Sequence, residues 1–126
     1  MKKFGILFIG IICLLSGCNE TSKSVVSVKK DFTTTGKGAI TATIENAGTQ
    51  LNLKGKLDLT AGEFSIYLSN PLGDTIYSES FKDSGNYKIN ENFDRIIGDW
   101  VFSYSIIKID DTTPSGSFDF DLSYND

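Results

Sequence analysis

Apolar and polar residues alternate along most of the chain that follows residue 25. Apolar side chains occupy nearly every second position in five segments, which are residues 40–44, 51–59, 64–68, 100–106 and 118–122. A period of two with one apolar face predicts antiparallel β-strands that are packed on one side. No segment shows a helical repeat of comparable strength, so the pattern predicts an all-β fold.

Turn-forming residues separate these segments. Residues 70–74 read Asn-Pro-Leu-Gly-Asp, and they predict that one strand ends near Ser69 and the next begins near Thr75, since proline presets φ and Gly73 accepts a positive φ. Similar breaks are predicted at 36–38, 83–86, 113–116 and Gly62. Seven or eight strands at this spacing predict a single antiparallel β-sandwich over residues 25–126, without an internal repeat or a second domain.

The first 17 residues follow a different pattern. Lys2 and Lys3 precede an apolar run over residues 4–15, and the small residues Ser16 and Gly17 follow it. A charged start, a short apolar run and small residues at its end are typical of a secretory signal peptide. The run is shorter than the ~20 residues that a membrane-spanning helix requires, so the pattern does not favour a permanent transmembrane segment.

The end of this segment, Leu15-Ser16-Gly17-Cys18, resembles the lipobox of bacterial lipoproteins. The resemblance implies that diacylglycerol is attached to the Cys18 thiol and that the signal is cut between Gly17 and Cys18. Two acyl chains suffice for stable anchoring, whereas one does not. The polar residues 18–24 are then a tether, and the alternative is an ordinary secretory signal with a free cysteine near its cleavage site.

A lipid anchor at Cys18 predicts an extracytoplasmic protein that is held to the bacterial cell membrane by its acyl chains. In two-membrane bacteria, an aspartate directly after the lipidated cysteine often retains lipoproteins at the inner membrane. This chain has Asn19 at that position, so by resemblance to that rule the outer membrane is a possible destination. The bilayer is therefore one expected partner, and an envelope or secreted protein is another.

Removal of the signal changes composition and charge. It leaves 109 of the 126 residues and, with the loss of Lys2 and Lys3, moves the formal net charge from −4 to −6. Cys13 lies in the signal and Cys18 is the expected lipid site, so no cysteine remains for a disulfide. An acidic domain with scattered lysines does not favour nucleic-acid binding, which requires basic patches.

The sequence contains few residues that could catalyse a reaction or bind a metal ion. The chain contains no histidine, and without a free cysteine the usual nucleophile–base pairs and most zinc sites are excluded, so we expect no enzyme and no catalytic residue. Calcium binds six to eight oxygen ligands, and the aspartates near the predicted loops are candidates for it. These residues are Asp94, Asp99, Asp110 and Asp111. The alternative is that they are ordinary solvated acids which keep the strand edges soluble.

Tyr67 is the candidate for ligand binding. Alternation places it on the opposite side of its strand from Phe64, Ile66 and Leu68, where its ring could form an aromatic platform for sugar or peptide. The alternative is that such a tyrosine covers a sheet face or a neighbouring strand with its hydroxyl in water.

Trp100 is expected in the core, since a tryptophan commonly fills the centre of a sandwich.

The carboxyl-terminal half, from Gly62 to Tyr124, carries a second resemblance. Residues 64–74 form a hairpin of the pattern apolar-x-apolar-x-x-Pro-x-Gly, and the segments 98–102 and 116–120 begin with Gly-Asp-Trp and Gly-Ser-Phe. This arrangement is similar to small jelly-roll domains of secreted proteases, namely the proprotein-convertase P domain and the bacterial pre-peptidase carboxyl-terminal domain. It implies a jelly-roll-like sandwich, with an immunoglobulin-like order as the alternative.

Together these features predict a membrane-anchored lipoprotein whose β-sandwich has a non-catalytic binding or envelope-structural role. The alternative is a calcium- or ligand-dependent accessory domain that assists a secreted or surface enzyme. No cofactor is expected beyond the diacylglycerol on Cys18 and, in that alternative, calcium.

Overall fold

The computed structural model describes residues 22–125, which form eight β-strands. The strands are β1 (Ser22–Phe32), β2 (Gly36–Ile44), β3 (Gly48–Ala61), β4 (Glu63–Ser69), β5 (Thr75–Phe81), β6 (Gly85–Arg95), β7 (Gly98–Ile107) and β8 (Ser115–Asn125). No helix occurs within residues 22–125. The predicted all-β class and the predicted number of strands are therefore confirmed.

The strands form two antiparallel four-stranded sheets that pack as a sandwich. The first sheet has the order β1-β8-β3-β6, and the second has the order β2-β7-β4-β5. Only β4 and β5 are both consecutive in the chain and paired, so every other connection crosses between the sheets. Eight strands in this order make a jelly roll, as predicted. The immunoglobulin-like alternative does not apply, because that fold keeps its first two strands together in one sheet.

A single residue, Gly62, carries the chain from β3 in the first sheet to β4 in the second. Its φ is 93°, in the left-handed region where other residues are strained. A Cβ at this position would also clash with the ring of Pro114, a fully buried residue that precedes β8. The predicted break at Gly62 is confirmed, and both the backbone angle and the close neighbour require glycine.

Antiparallel pairing places alternate connections at opposite ends of the sandwich. We define the near end as the one where β1 begins, because Ser22 pairs there with Asn125 of β8. The near end also carries the links 45–47, 70–74 and 96–97, and the far end carries Gly62 and the links 33–35, 82–84 and 108–114. Both ends of the described chain therefore lie at the near end.

The core between the sheets is built around Phe64 of β4. Its ring centroid lies 5.0–6.1 Å from those of four other aromatic residues, which are Phe32, Tyr104, Phe118 and Phe120. Aromatic pairs at this separation add about 0.5–1.5 kcal/mol each beyond the burial of their area. Trp100 is also fully buried, and its indole N–H donates to the carbonyl oxygen of Ile96 at 2.8 Å. The prediction that Trp100 lies in the core is confirmed.

Two of the five predicted breaks, at Gly62 and at 70–74, agree with the structure, and the break at 113–116 overlaps the link 108–114 because β8 begins at Ser115. The turn at 70–74 is confirmed, with β4 ending at Ser69, β5 beginning at Thr75 and Gly73 at a φ of 88°. The predicted turn at 36–38 is wrong, because these residues pair with β7 as the start of β2. Gly38 is needed there since the ring of Tyr104 lies 2.7 Å from the place of a Cβ.

The amino-terminal strand begins earlier than expected. β1 starts at Ser22 instead of Val25, because residues 22–24 pair with the last three residues of β8. These three residues belong to the first sheet and not to the expected tether. The break predicted at residues 83–86 is also shifted. β6 begins at Gly85, so the turn before it covers residues 82–84.

Candidate functional site

The outer face of the first sheet is strongly charged. Three rows of side chains cross its four strands, and eight of the twelve residues carry a charge. The rows are Ser27, Asp121, Lys54 and Asn90; Lys29, Asp119, Lys56 and Lys88; and Asp31, Ser117, Asp58 and Asn86. Opposite charges on neighbouring strands stabilise such a sheet modestly. We name it the charged face.

The outer face of the second sheet is almost uncharged. Its three central rows contain eight serine or threonine residues, one tyrosine and only one charged residue, Lys37, on the edge strand β2. The rows are Lys37, Ser105, Ser65 and Ser80; Ala39, Ser103, Tyr67 and Ser78; and Thr41, Val101, Ser69 and Thr75. Charged residues commonly occupy about a quarter of a protein surface or more, so this composition is distinctive. We name it the hydroxyl face.

Tyr67 lies in the middle of the hydroxyl face, on the inner strand β4. Its side chain is 39% exposed, whereas Phe64, Ile66 and Leu68 of the same strand are buried in the core. The predicted orientation of Tyr67 is therefore confirmed. Apart from Lys37 on the edge strand β2, the flanking rows carry serine, threonine and one valine, so the tyrosine ring is the largest apolar feature of the face.

Pairs of hydroxyl groups flank the row of Tyr67 on both sides. The side-chain oxygens of Ser65 and Ser80 lie 2.8 Å apart, and those of Ser69 and Thr75 lie 3.4 Å apart. Each pair joins β4 to β5 across the sheet. A hydroxyl group donates one hydrogen bond and accepts two, so the exposed members of these pairs, such as Ser80, keep unused capacity for a ligand, whereas Ser65 is buried beneath them.

A groove of about 490 Å³ lies beside Tyr67 on this face. It is lined by residues 37–39 of β2, by Tyr67 of β4, and by Ser103, Tyr104 and Ser105 of β7. Since β7 lies between β2 and β4, its small serine side chains make the middle of the groove lower than the tyrosine ring. An extended polar chain could lie across β7 with one unit against Tyr67.

A second groove, of about 450 Å³, lies at the near end. Its polar lining includes Asn70, Asn92 and Asp94, and its apolar lining includes Phe93 and Trp100. Two of these polar groups already have partners, because the Asn70 side-chain oxygen accepts the N–H groups of the turn and the Asn92 side-chain oxygen accepts from the amide of Asn52 at 3.0 Å. This groove is therefore a weaker candidate than the hydroxyl face.

The four aspartates proposed for calcium are divided between the two ends of the sandwich. Asp94 is the last but one residue of β6 and Asp99 the second residue of β7, both at the near end, while Asp110 and Asp111 lie in the link 108–114 at the far end. The ten residues of β7 separate the two pairs by roughly 30 Å. Asp99 instead accepts a hydrogen bond of 2.6 Å from the hydroxyl of Thr43. One ion bound by all four is excluded by this separation, and within residues 22–125 no three acidic side chains are grouped to hold a metal.

Arg95 is a buried charged residue that the sequence did not single out. It is only 9% exposed at the near end, where its two terminal nitrogens donate to the carbonyl oxygens of Asn125 and Ala47 at 3.1 and 3.0 Å. The guanidinium carbon lies 4.2 Å from the centre of the Tyr124 ring, while Nε is buried and has no hydrogen-bond partner among residues 22–125. Arg95 therefore ties β6, β8 and the link 45–47 together.

Tyr77 of β5 has a perturbed ionisation. Burial raises the pKa of its phenol well above the ordinary value, and the hydrogen bond of 2.6 Å that it donates to Glu79 acts in the same direction. The negative charges of Glu79 and Glu91 add to the effect. Tyr77 is thus held in its neutral form and is not poised for proton transfer at physiological pH.

Two of the predicted sites lie outside the described residues, namely the lipidation site Cys18 and the cleavage bond after Gly17. Within residues 22–125 no helix is long and apolar enough to cross a membrane. No protein-family model matches the chain, and no curated protein is similar to it. The lipoprotein and protease-domain resemblances therefore remain predictions.

Proposed function

We propose that this chain is a lipid-anchored bacterial lipoprotein of the cell envelope, and that its jelly roll is a non-catalytic binding module. The hydroxyl face is its binding surface, and the ligand is an uncharged, hydroxyl-rich polymer such as a neutral polysaccharide. The observation that carries the proposal is the exposed Tyr67 ring at the centre of a face on which eleven of twelve residues are uncharged.

The composition of the hydroxyl face suits a neutral polar ligand. A ligand that covers a charged side chain must remove it from water at a large free-energy cost unless it supplies an opposite charge. Serine and threonine are less costly to cover, and each can donate to and accept from a sugar hydroxyl. The face of the Tyr67 ring is electron-rich and packs well on the C–H groups of a pyranose ring.

The overall charge disfavours acidic polymers. The expected mature chain has a formal net charge of −6, and Lys37 is the one cation in the central rows of the hydroxyl face. A negative protein repels polyanions at long range and does not concentrate them at its surface. Neutral chains experience no such repulsion, so charge selects them over uronic-acid polymers and nucleic acids.

The alternative function, a calcium- or ligand-dependent accessory domain, is weakened in its calcium form. Its metal site depended on the four aspartates, and Asp94 and Asp99 lie at the opposite end of the sandwich from Asp110 and Asp111. A ligand-dependent accessory domain would use the same hydroxyl face, so it differs from our proposal in the partner enzyme and not in the binding site.

Binding is tested with the mature protein extracted in detergent and passed over immobilised polysaccharides. We expect retention on at least one neutral polymer among glucan, mannan and xylan, and none on the acidic polygalacturonate. Tyr67→Ala should weaken retention about tenfold or more, which corresponds to ~1.4 kcal/mol, while Tyr67→Phe should retain most of the affinity because it keeps the ring. Retention on the acidic polymer alone, or equal binding by the alanine variant, would refute the proposed ligand and site.

The anchor is tested separately with Cys18→Ala. We expect the parent protein in the membrane fraction, with a mass equal to residues 18–126 plus the acyl groups, and the variant without acyl mass. A variant that carries the same added mass would show that Cys18 is not the site of lipidation. Because the two tests use different residues and readouts, either proposal, the anchor at Cys18 or the binding face, can be refuted without the other.

A further inference from the structure

The chain reaches the jelly roll at its near end. Ser22 begins β1 there, beside Asn125, and Cys18 precedes Ser22 by four residues. Four residues span at most ~14 Å when fully extended. If Cys18 carries the lipid, as proposed above, the near end is held close to the bilayer. The inference that follows rests on that anchor and not on the proposed ligand.

The two most exposed large apolar side chains of the described residues lie at this same end. Leu72 is 73% exposed at the tip of the link 70–74, and Ile97 is 55% exposed in the link 96–97. The links touch, since a Cβ on Gly98 would lie 2.7 Å from the ring of Pro71. Leu72 and Ile97 therefore lie on adjoining loops, each one residue away from this contact, and we name the two exposed side chains together the apolar tip.

The apolar tip has no evident role in holding its own loops. The turn 70–74 is formed by Asn70, whose side-chain oxygen accepts the N–H groups of Leu72 and Asp74 at 3.0 and 3.1 Å. Neither bond uses the side chain of Leu72, which extends into solvent. A polar residue at the tip of the turn would fold equally well, so the turn itself does not require an apolar side chain at position 72.

We propose that Leu72 and Ile97 insert into the surface of the same bilayer that holds the acyl chains of Cys18. The anchor brings the tip to the membrane, and burial of the two side chains among the acyl chains fixes the orientation of the jelly roll. The strands then point away from the membrane, which leaves the hydroxyl face open at the side. The far end, with Ile107, projects into the surrounding space.

The charges of the near end limit the depth of this contact. Four exposed acidic side chains, Glu45, Asp74, Asp94 and Asp99, lie at the same end as the apolar tip and outnumber the exposed Lys23 there. Anionic lipid headgroups repel them, and burial of a carboxylate in the hydrocarbon region is costly. The insertion is therefore shallow, confined to the two apolar side chains, and weaker on membranes rich in anionic lipid.

The test uses single cysteines in the full, processed chain. Leu72→Cys and Ile97→Cys are labelled with an environment-sensitive thiol-reactive dye, and Ile107→Cys is the matched control. Ile107 is similarly exposed, at 47%, but lies at the far end of β7, roughly 30 Å away. The proteins are reconstituted in vesicles of phosphatidylethanolamine with a minor fraction of phosphatidylglycerol. Dye emission is then measured with a lipid-borne quencher and with aqueous iodide.

We expect the dyes at 72 and 97 to shift their emission to the blue and to be quenched several-fold more by the lipid quencher than the dye at 107. A larger fraction of phosphatidylglycerol should reduce that difference. Iodide quenching at 72 and 97 that equals the quenching at 107 would overturn the insertion.

The parent protein serves as the control for the anchor. It should take up no label, because a Cys18 thioether cannot react and Cys13 is removed with the signal. Labelling of the parent would overturn the anchor, and the inference with it, whereas failed insertion in an unlabelled parent leaves the anchor intact.

Discussion

The guanidinium of Arg95 occupies the space that a side chain at position 48 would fill. A Cβ on Gly48 would clash with Nη2 of Arg95, and the same nitrogen donates to the carbonyl oxygen of Ala47. Gly48 pairs with Arg95 in the register of β3 and β6. The start of β3 is therefore shaped by the arginine that packs over it, and the near end is held together by this contact.

We predict that Gly48→Ala destabilises the protein. The added methyl group displaces the guanidinium from its two carbonyl acceptors, and such overpacking lowers the free energy of unfolding by about 1–3 kcal/mol. Gly36→Ala is the matched control, because Gly36 also lies in a strand and a Cβ there meets nothing within 4 Å. Denaturant unfolding should show an unchanged or slightly higher stability for Gly36→Ala. Equal effects of the two changes would contradict the packing of Arg95 against Gly48.

We predict that Phe64 is among the most sensitive core positions. Removal of its ring leaves a cavity among four aromatic neighbours, and Phe64→Ala should lower the free energy of unfolding by about 3–5 kcal/mol. Tyr67→Ala, three residues along the same strand, should change it by less than about 1 kcal/mol because the side chain is partly solvated. Thermal unfolding of both variants checks this difference, and a comparable loss in Tyr67→Ala would mean that Tyr67 is a structural residue.

We predict a loss of stability in alkali that depends on Tyr77. The pKa of its phenol is raised in the folded state above the ordinary value of 10.0. Below about pH 10 both states keep the proton, and as the pH rises further the unfolded chain releases it first, which lowers the stability of the fold. Between about pH 9 and pH 11 the parent should therefore lose more stability than Tyr77→Phe does. If the free energy of unfolding fell equally with pH in the two proteins, the raised pKa of Tyr77 would be refuted.

The alternation of apolar and polar residues was sufficient to predict the all-β class, the burial of Trp100 and the turn at 70–74. It could not predict the order of the strands, because only β4 and β5 are both consecutive and paired. It also failed at residues 36–38, where two glycines suggested a turn. There the space needed by the Tyr104 ring requires a glycine inside β2, and this contact is not visible in local sequence.

The candidate site was predicted in part. The alternation of apolar and polar residues along β4 predicted the exposed position of Tyr67. The sequence also contained a signal for the rest of the hydroxyl face, because the outward positions of β4, β5 and β7 carry serine where those of β3 and β8 carry lysine or aspartate. The apolar tip was missed because Leu72 lies in a turn and Ile97 in a short link. The two loops adjoin only in the fold, where Pro71 approaches Gly98, and this contact joins segments that are distant in sequence.

The most direct test of the central claim, that the uncharged hydroxyl face is the binding surface, adds one charge to either face. Ser78→Lys places an ammonium group beside Tyr67 on the edge strand β5, and Asn90→Lys places one on the edge strand β6 of the charged face. Affinity for the neutral polysaccharide that retains the parent is then measured by titration. Ser78→Lys should weaken binding at least about tenfold, and Asn90→Lys should leave it unchanged. Equal affinities for both variants, or a loss confined to Asn90→Lys, would contradict the account.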